Sequence, residues 1–232
     1  MNRLEKMEQR LKELVRMPIK NKEEVDETLL LAKELELEVA KEYSSMIKEL
    51  ANKGITITNV WDLVNTAESY LDAIPILLNH VTKNYRERSK EGIIRSLAVK
   101  EARGVASSVL IAEYHRTPKD KMNLRWVIGN TVFMTFTEDD IDSILPIVQD
   151  KTNGESRDRF IEALGKSKSI KAKAKVEDVL IELLDDDEVL PAAVMALGRM
   201  KSKKAKEKIS TFTNHPTPWI KKEVQKALKK IS

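Results

Sequence analysis

Cysteine is absent from this sequence of 232 residues. Its absence excludes a disulfide framework, a thiolate metal site and a cysteine nucleophile, and it suits a reducing compartment. Glycine and proline each occur only seven times, and aromatic residues make up 5% of the chain, so the residues that form turns and strands are scarce. Leu, Ala, Lys and Glu dominate the remainder and favour helix. The composition therefore predicts an all-α protein.

Long apolar runs are also missing. No run approaches the roughly 18 apolar residues that suggest a membrane-spanning helix, and the segment MNRLEKMEQR at the start has no apolar core like that of a signal peptide. We therefore expect a cytoplasmic protein without a membrane association. An apolar stripe over residues 4–14 leaves a coiled-coil dimer as the alternative, but it covers only two heptads, so we expect a monomer.

The basic residues are unevenly distributed. Residues 1–150 contain 22 Lys or Arg and 25 Asp or Glu, for a net charge of −3. Residues 151–232 contain 19 and 12, for a net charge of +7. An acidic partner would therefore be attracted mainly to the C-terminal third.

One short sequence motif is repeated with small changes. The stretch FIEALGKSK at 160–168 is followed 33 residues later by AVMALGRMK at 193–201. The leucine of each phrase serves as a reference position, and comparable apolar residues extend the series to Leu97, Ile128, Leu164, Leu197 and Leu228, with spacings of 31, 36, 33 and 31 residues. A period in the low thirties indicates stacked units, each made of two helices joined by a short polar turn.

The pattern ALGRMKSKKAKEKI…WIKKEVQKALKKI at 196–231 resembles the HEAT repeat, in particular its short bacterial form named after phycobilisome lyases. The resemblance covers about 70–232 and is strongest over 137–232. It implies a right-handed α-solenoid of about five helix pairs over 70–232, in which the second helices line a concave face. Residues 1–69 do not fit the period, so we predict that they form an N-terminal helical cap.

Basic residues recur seven positions before most reference positions, at Lys90, Lys121, Arg157 and Lys221. The resemblance implies that this position pairs with an Asp or Asn at the turn between the helices, such as Asp150 or Asn214. We therefore interpret these residues as structural rather than as ligand contacts.

Lysines that follow the second helices also align, and they predict a basic edge that consists of Lys168, Lys171, Lys173, Lys201, Lys204 and Lys206. Such an edge attracts phosphate or an acidic protein. No aromatic residues that could stack on bases lie among these lysines, and no arginines that could form paired hydrogen bonds with bases lie among them. The basic edge therefore supports weak, non-specific nucleic-acid binding at most. The alternative is a set of solvated loops.

The positions two before and two after each reference lie off the buried stripe. They lead us to predict a partner-binding patch of Arg95, Trp126, Asn130, Arg159, Glu162, Met195 and Arg199, exposed together with Trp126 at the centre. Trp and Arg are enriched at interface hot spots. The pair Gly129-Asn130 lowers helix propensity, which we take as modest support for a functional site. The alternative is that Trp126 packs sideways between neighbouring repeats.

Catalysis finds little support in the sequence. His80, His115 and His215 lie in separate units without metal-ligand spacing, and neither a glycine-rich phosphate loop nor a nucleophile elbow is present. Thr137 and Asp140 resemble a helix capping box. We predict no catalytic residue, metal or cofactor.

One segment, NVWDLVNTAESYLDAIP at 59–75, resembles a Trp-Asp segment of the HEAT-like alkylpurine DNA glycosylases, which place a catalytic carboxylate shortly after the Trp. Here that position is Asn65, and Asp62 falls earlier. An amide cannot supply the negative charge that the reaction needs. The predicted function is therefore a non-enzymatic scaffold that binds a protein or peptide partner on its concave face, and the alternative is a nucleic-acid-binding protein related to these glycosylases.

Overall fold

The computed structural model describes residues 3–232 and is helical from end to end. Helices include 74% of the residues, and the described part of the chain contains thirteen α-helices and no strand. The all-α class predicted from the composition is confirmed. Contacts divide the chain into two compact units, residues 1–66 and residues 67–232.

The N-terminal unit is built on two long helices. Helix α1 (Arg3–Arg16) and helix α2 (Lys22–Ala51) pack against each other, and α3 (Val60–Asn65) follows after a loop. The predicted apolar stripe faces inward, since Met7 and Leu14 are buried. Ion pairs from Arg3 to Glu34 and from Arg10 to Glu27 show that α1 and α2 run antiparallel.

The second unit consists of five helix pairs. In chain order they are α4 (Ile74–Val81) with α5 (Glu87–Ser96), α6 (Ser107–Arg116) with α7 (Met122–Thr135), α8 (Ile141–Gln149) with α9 (Asp158–Leu164), α10 (Lys173–Glu182) with α11 (Leu190–Met200), and α12 (Lys206–Ser210) with α13 (Pro218–Ile231). The handedness, the cap over 1–69 and the repeats over 70–232 stay predictions.

The second helices pack against one another in order, α5 on α7, α7 on α9, α9 on α11 and α11 on α13. A Cβ atom added at Gly165 would lie 2.6 Å from Cα of Ala196, and one added at Gly198 would lie 2.8 Å from Cβ of Ala227. The Ala-Leu-Gly phrase recurs because the glycine of one second helix packs directly on the alanine of the next.

Buried arginine side chains join successive helix pairs. Arg157 is fully buried, and its guanidinium bonds the carboxylate of Asp186 at 2.9 Å and the carbonyls of Gly154 at 2.8 Å and Val148 at 3.3 Å. The carboxylate belongs to the turn of the following pair. A buried charge needs such a partner because the desolvated ion would otherwise be strongly unfavourable.

A second buried arginine, Arg125 of α7, was not expected from the sequence. Its Nη1 donates to the carbonyls of Tyr114 at 3.1 Å and Thr117 at 2.9 Å, and its Nη2 donates to the Asn153 side chain. The guanidinium also lies 3.8 Å from the centroid of the Tyr114 ring. Arg125 therefore ties the turn between α6 and α7 to the turn of the next pair.

These contacts correct the partners expected for the basic residues that lie seven positions before the reference positions. Asp150 does not pair with Arg157 but accepts hydrogen bonds from Thr152 of its own turn, which satisfies the local backbone. The basic residues instead reach to neighbouring pairs, Lys90 to Glu113 at 2.6 Å and Lys121 to Glu87 at 3.0 Å. The basic residue at this position is structural, as expected, in the case of Lys90 and of Arg157.

Candidate functional site

The predicted patch lies mainly on three second helices. Trp126 and Asn130 lie on α7, Arg159 and Glu162 on α9, and Met195 and Arg199 on α11. These helices pack in sequence, and side-chain contacts link Trp126 to Arg159, Arg159 to Glu162 and Glu162 to Arg199. Arg95 lies on α5, where it forms an ion pair with Glu91 of its own helix at 2.8 Å.

The exposure of the patch is uneven. Trp126 is 37% exposed and Arg199 is also exposed, whereas Arg95, Asn130, Arg159 and Met195 are half-buried. Glu162 was expected to be exposed, but only 7% of it is accessible. That expectation was wrong because two arginines cover its carboxylate.

Glu162 holds these two arginines in place. Its Oε1 accepts a hydrogen bond from Nη1 of Arg159 at 2.6 Å, and its Oε2 lies 3.7 Å from Nη2 of Arg199. Nη1 of Arg199 also donates to the Glu162 carbonyl at 3.0 Å. The carboxylate therefore orients guanidinium groups from two neighbouring helices.

Phe133 of α7 is the centre of this arrangement. Its ring centroid lies 4.1 Å from Cζ of Arg159, 4.6 Å from Nζ of Lys166 and 5.2 Å from Cζ of Arg199. Nζ of Lys166 also donates to the Phe133 carbonyl at 2.6 Å. Three cations surround one aromatic ring, which attracts them through its negative face.

We call this set the cation–aromatic face, and it consists of Trp126, Phe133, Arg159, Glu162, Lys166 and Arg199. Trp126 extends it along α7, with its ring centroid 6.0 Å from Cζ of Arg159. Phe133 was not predicted from the sequence because it lies outside the columns on either side of the reference positions. The signal that could have found it is the spacing of Trp126, Asn130 and Phe133, which are four and seven residues apart and so share one helix face.

The face carries an excess of positive charge. Burial lowers the pKa of Lys166, and the nearby charges of Arg103, Arg199 and Arg159 lower it further. Like charges held this close favour the neutral form of the lysine. An anion at this face would relieve that repulsion.

Gly129 has a structural role that revises the argument from helix propensity. A Cβ atom added there would lie 3.0 Å from Cε2 of Phe160 and 3.3 Å from Cβ of Arg159. The glycine thus allows α9 to approach α7. Its presence does not by itself mark a binding site.

The residues of the predicted basic edge are all exposed, in or near the segments that follow α9 and α11. Acidic side chains of the preceding helices neutralise part of this region. Lys204 pairs with Asp178, Lys175 with Asp142 at 2.9 Å and Lys208 with Asp185 at 2.7 Å.

The residues considered for catalysis have structural contacts. The carboxylate of Asp62 accepts hydrogen bonds from the backbone N–H groups of Asn59 at 3.0 Å and Thr58 at 2.9 Å, which lower its pKa. Asn65 donates to the carbonyl of Trp61 at 2.8 Å. Asp62 is therefore a capping residue of α3. Among the described residues, no group of three or more His, Cys, Asp or Glu side chains could hold a metal ion.

Helix pairs that stack on one another with a period in the low thirties define the class of helical-repeat proteins. Residues 141–229 match the family model of HEAT repeats. Residues 141–229 therefore contain HEAT repeats, as the resemblance indicated. No curated protein sequence matches the chain. HEAT repeats commonly mediate protein–protein interactions, and the family consists generally of non-catalytic scaffolds. No helix in the described part of the chain is long and apolar enough to cross a membrane.

Proposed function

We propose that this protein is a non-enzymatic scaffold and that an acidic segment of a protein partner binds to the cation–aromatic face. The observation that carries the proposal is the cluster of three cations around Phe133, next to the half-exposed Trp126. Arginine and aromatic side chains dominate the binding energy of many protein interfaces.

Charge complementarity favours an acidic partner. Arg159, Lys166 and Arg199 bring three positive charges to the face, and the only carboxylate of the set, Glu162, is already covered by the two arginines. Carboxylates of a partner would form charge-assisted hydrogen bonds with the guanidinium groups. Trp126 would supply apolar contact area beside them.

Fluorescence anisotropy with a labelled peptide of alternating Glu and Leu residues tests the proposal. The double variant Arg159→Gln/Arg199→Gln should weaken binding about tenfold or more. The double variant Lys171→Gln/Lys173→Gln removes the same charge from exposed sites outside the face, and it should leave the affinity within about twofold of the unaltered chain. Equal affinities of all three proteins would overturn the proposal.

Trp126→Ala tests the face without changing its charge. Loss of the indole should weaken binding by on the order of 2 kcal/mol if Trp126 contacts the partner, while the melting temperature stays close to that of the unaltered chain. A core tryptophan would instead cost roughly 3–5 kcal/mol of stability. A large fall in melting temperature would argue against the face as a binding surface.

Binding of nucleic acid to the basic edge would give a different pattern. Its affinity would fall steeply as salt concentration rises, because neutralised phosphates release counterions. A gel-shift titration with duplex DNA at two salt concentrations detects this. Tight, salt-dependent binding that is lost in Lys171→Gln/Lys173→Gln would assign the function to the basic edge instead.

A further inference from the structure

A cleft of about 540 Å³ opens beside the cation–aromatic face. Its volume lies within the range of ordinary ligand sites. The charged side chains that line it are Arg103, Glu138, Lys166, Lys168, Arg199 and Lys201. They come from four separate segments of the repeat unit, so the fold rather than a single loop gathers five cations around one cleft.

The single acidic residue of the lining is already satisfied. Glu138 accepts hydrogen bonds from Oγ of Ser167 at 2.6 Å and from the backbone N–H of Lys168 at 2.7 Å. Burial raises the pKa of Glu138, but these bonds and the charge of Arg103 outweigh it and lower the pKa below its ordinary value. Glu138 therefore stays ionised and fixes the turn after α9 at the edge of the cleft.

Two of the five cations bond mainly to neutral partners. Nε of Arg103 donates to the carbonyl of Phe136 at 3.2 Å, and Nζ of Lys166 donates to the carbonyl of Phe133. In the part of the chain that the structure describes, no ion pair within 4.0 Å involves Arg103, Lys166, Lys168 or Lys201. The carbonyl oxygens orient the side chains of Arg103 and Lys166 but do not neutralise them, so the cleft retains positive charge.

Lys201 has an unusual backbone conformation. It ends α11 in the left-handed region, with φ 54° and ψ 45°, and it is the only described non-glycine residue with positive φ. Glycine or asparagine usually occupies this position because a side chain is strained there. Strain of this kind clusters at functional sites, and here it is retained at a lysine that lines the cleft.

The geometry points to this cleft as a binding site for a phosphate monoester, namely a phosphorylated side chain of the partner. A phosphate group has about two negative charges near neutral pH and three acceptor oxygens. It can therefore accept hydrogen bonds from two guanidinium groups and neighbouring ammonium groups at once, which a single carboxylate does less well. The assignment of the phosphate to a protein partner rests on the function proposed above.

Acidic residues next to the cleft favour one phosphate over a nucleic-acid backbone. Glu138 lies in its lining, and Asp139 and Asp142 nearby in the sequence are exposed. A chain of phosphates would meet these carboxylates, and like charges at short distance repel. A single dianion brings fewer negative charges near these carboxylates than a chain of phosphates does.

Titration of the full chain with inorganic phosphate, at constant ionic strength, tests the site independently of any partner. Nuclear magnetic resonance should show saturable shifts of the amides at 165–168 and 199–201. The double variant Arg103→Gln/Lys201→Gln should weaken phosphate binding about tenfold or more, whereas Lys171→Gln/Lys173→Gln should change it less than about twofold. Absence of saturable binding, or equal weakening in both variants, would overturn the inference. Matching melting temperatures of the variants and the unaltered chain establish that folding is not the cause.

A second titration compares one acidic peptide with and without a phosphoserine, together with a single-stranded DNA of similar charge. The phosphorylated peptide should bind about tenfold tighter than its unphosphorylated form, and Arg103→Gln/Lys201→Gln should abolish that preference. Tighter binding of DNA that depends on the same two residues would overturn the inference. Peptide binding without a phosphate preference would overturn the phosphate site in the cleft but not the proposed scaffold function. Phosphate binding without peptide binding would overturn only the proposed scaffold function.

Discussion

The two units of this chain are stabilised in different ways. Every buried polar or charged side chain found among the described residues lies between His80 and Ser202, within the repeat unit. The N-terminal unit instead buries aliphatic side chains and Tyr43, places its ion pairs on the surface and leaves Leu29, Leu30 and Leu37 of α2 exposed. A helical hairpin needs one apolar seam, whereas stacked pairs must also satisfy the polar turns that each pair brings to the next.

The polar contacts between pairs also impose order on the repeat unit. Apolar stripes alone would allow neighbouring helices to slide, since the hydrophobic effect is not directional. A guanidinium that bonds the turns of two successive pairs fixes their relative position because hydrogen bonds depend on angle and distance. We expect the strongest dependence on single side chains in the repeat unit and the weakest in the hairpin.

The largest effect is expected at Arg157. Arg157→Met removes the partner of the buried Asp186 carboxylate and leaves it uncompensated, so the free energy of unfolding should fall by about 3–5 kcal/mol. Urea denaturation of the full chain, followed by circular dichroism, measures the change. The double variant Arg157→Met/Asp186→Leu removes both charges and should recover much of the loss. Equal stability of the two variants would show that the ion pair does not link the helix pairs.

A smaller effect is expected at Gly165. In Gly165→Ala the new methyl group would meet Cα of Ala196 at 2.6 Å, and the cost of overpacking exceeds the gain in helix propensity, for a net loss of about 1–2 kcal/mol. In a double-mutant cycle, Ala196→Gly should offset part of this loss. Strictly additive effects would mean that the two residues are not in contact.

The repeat architecture was predictable because the packing that creates it is local and periodic. Gly165 and Gly198 recur at a fixed spacing since each packs on the next second helix. The ion-pair partners of the buried arginines were harder to predict from the sequence. Arg157 bonds Asp186 rather than Asp150 because its side chain crosses to the next pair, a choice that spacing along one unit does not determine.

The candidate site was only partly predictable for a similar reason. Trp126, Arg159 and Arg199 could be placed on one face from helix periodicity alone. The burial of Glu162 and the central position of Phe133 depend on how far side chains from adjacent helices reach. Such contacts between neighbouring helices cannot be predicted from the spacing of residues along any one helix.

A substitution that increases the free energy of unfolding, rather than lowering it, is expected at Asp158, within the repeat unit. Burial raises the pKa of this carboxyl to about 7, with contributions from Glu155 and Glu162, and its Oδ1 is buried without a hydrogen-bond partner among the described residues. In the unfolded chain the pKa returns to about 3.9. The folded state thus holds a proton that the unfolded state releases, so stability declines as pH rises from about 4 to 7.

Asp158→Asn should remove this decline. At pH 8 the variant should be more stable by on the order of 1–2 kcal/mol, less than the full pKa shift implies because the side chain is partly exposed, and near pH 4 the two proteins should be alike. Urea denaturation at both pH values measures the difference. Loss of stability at pH 8 would show that the charged carboxylate is favourable where it lies.

The smallest effect is expected in the N-terminal hairpin, at Arg10. Its guanidinium forms two hydrogen bonds with Glu27, at 2.7 and 2.8 Å, which is the best geometry an ion pair can have. Both side chains are nevertheless partly exposed to solvent, so water and salt compete for the same groups. Arg10→Gln should leave hydrogen exchange of the α1 amides within about twofold of the unaltered chain. Leu14→Ala, which removes a fully buried side chain of the same helix, should accelerate that exchange strongly and serves as the positive control. Acceleration by Arg10→Gln comparable with that control would show that the hairpin, like the repeat unit, depends on its charged contacts.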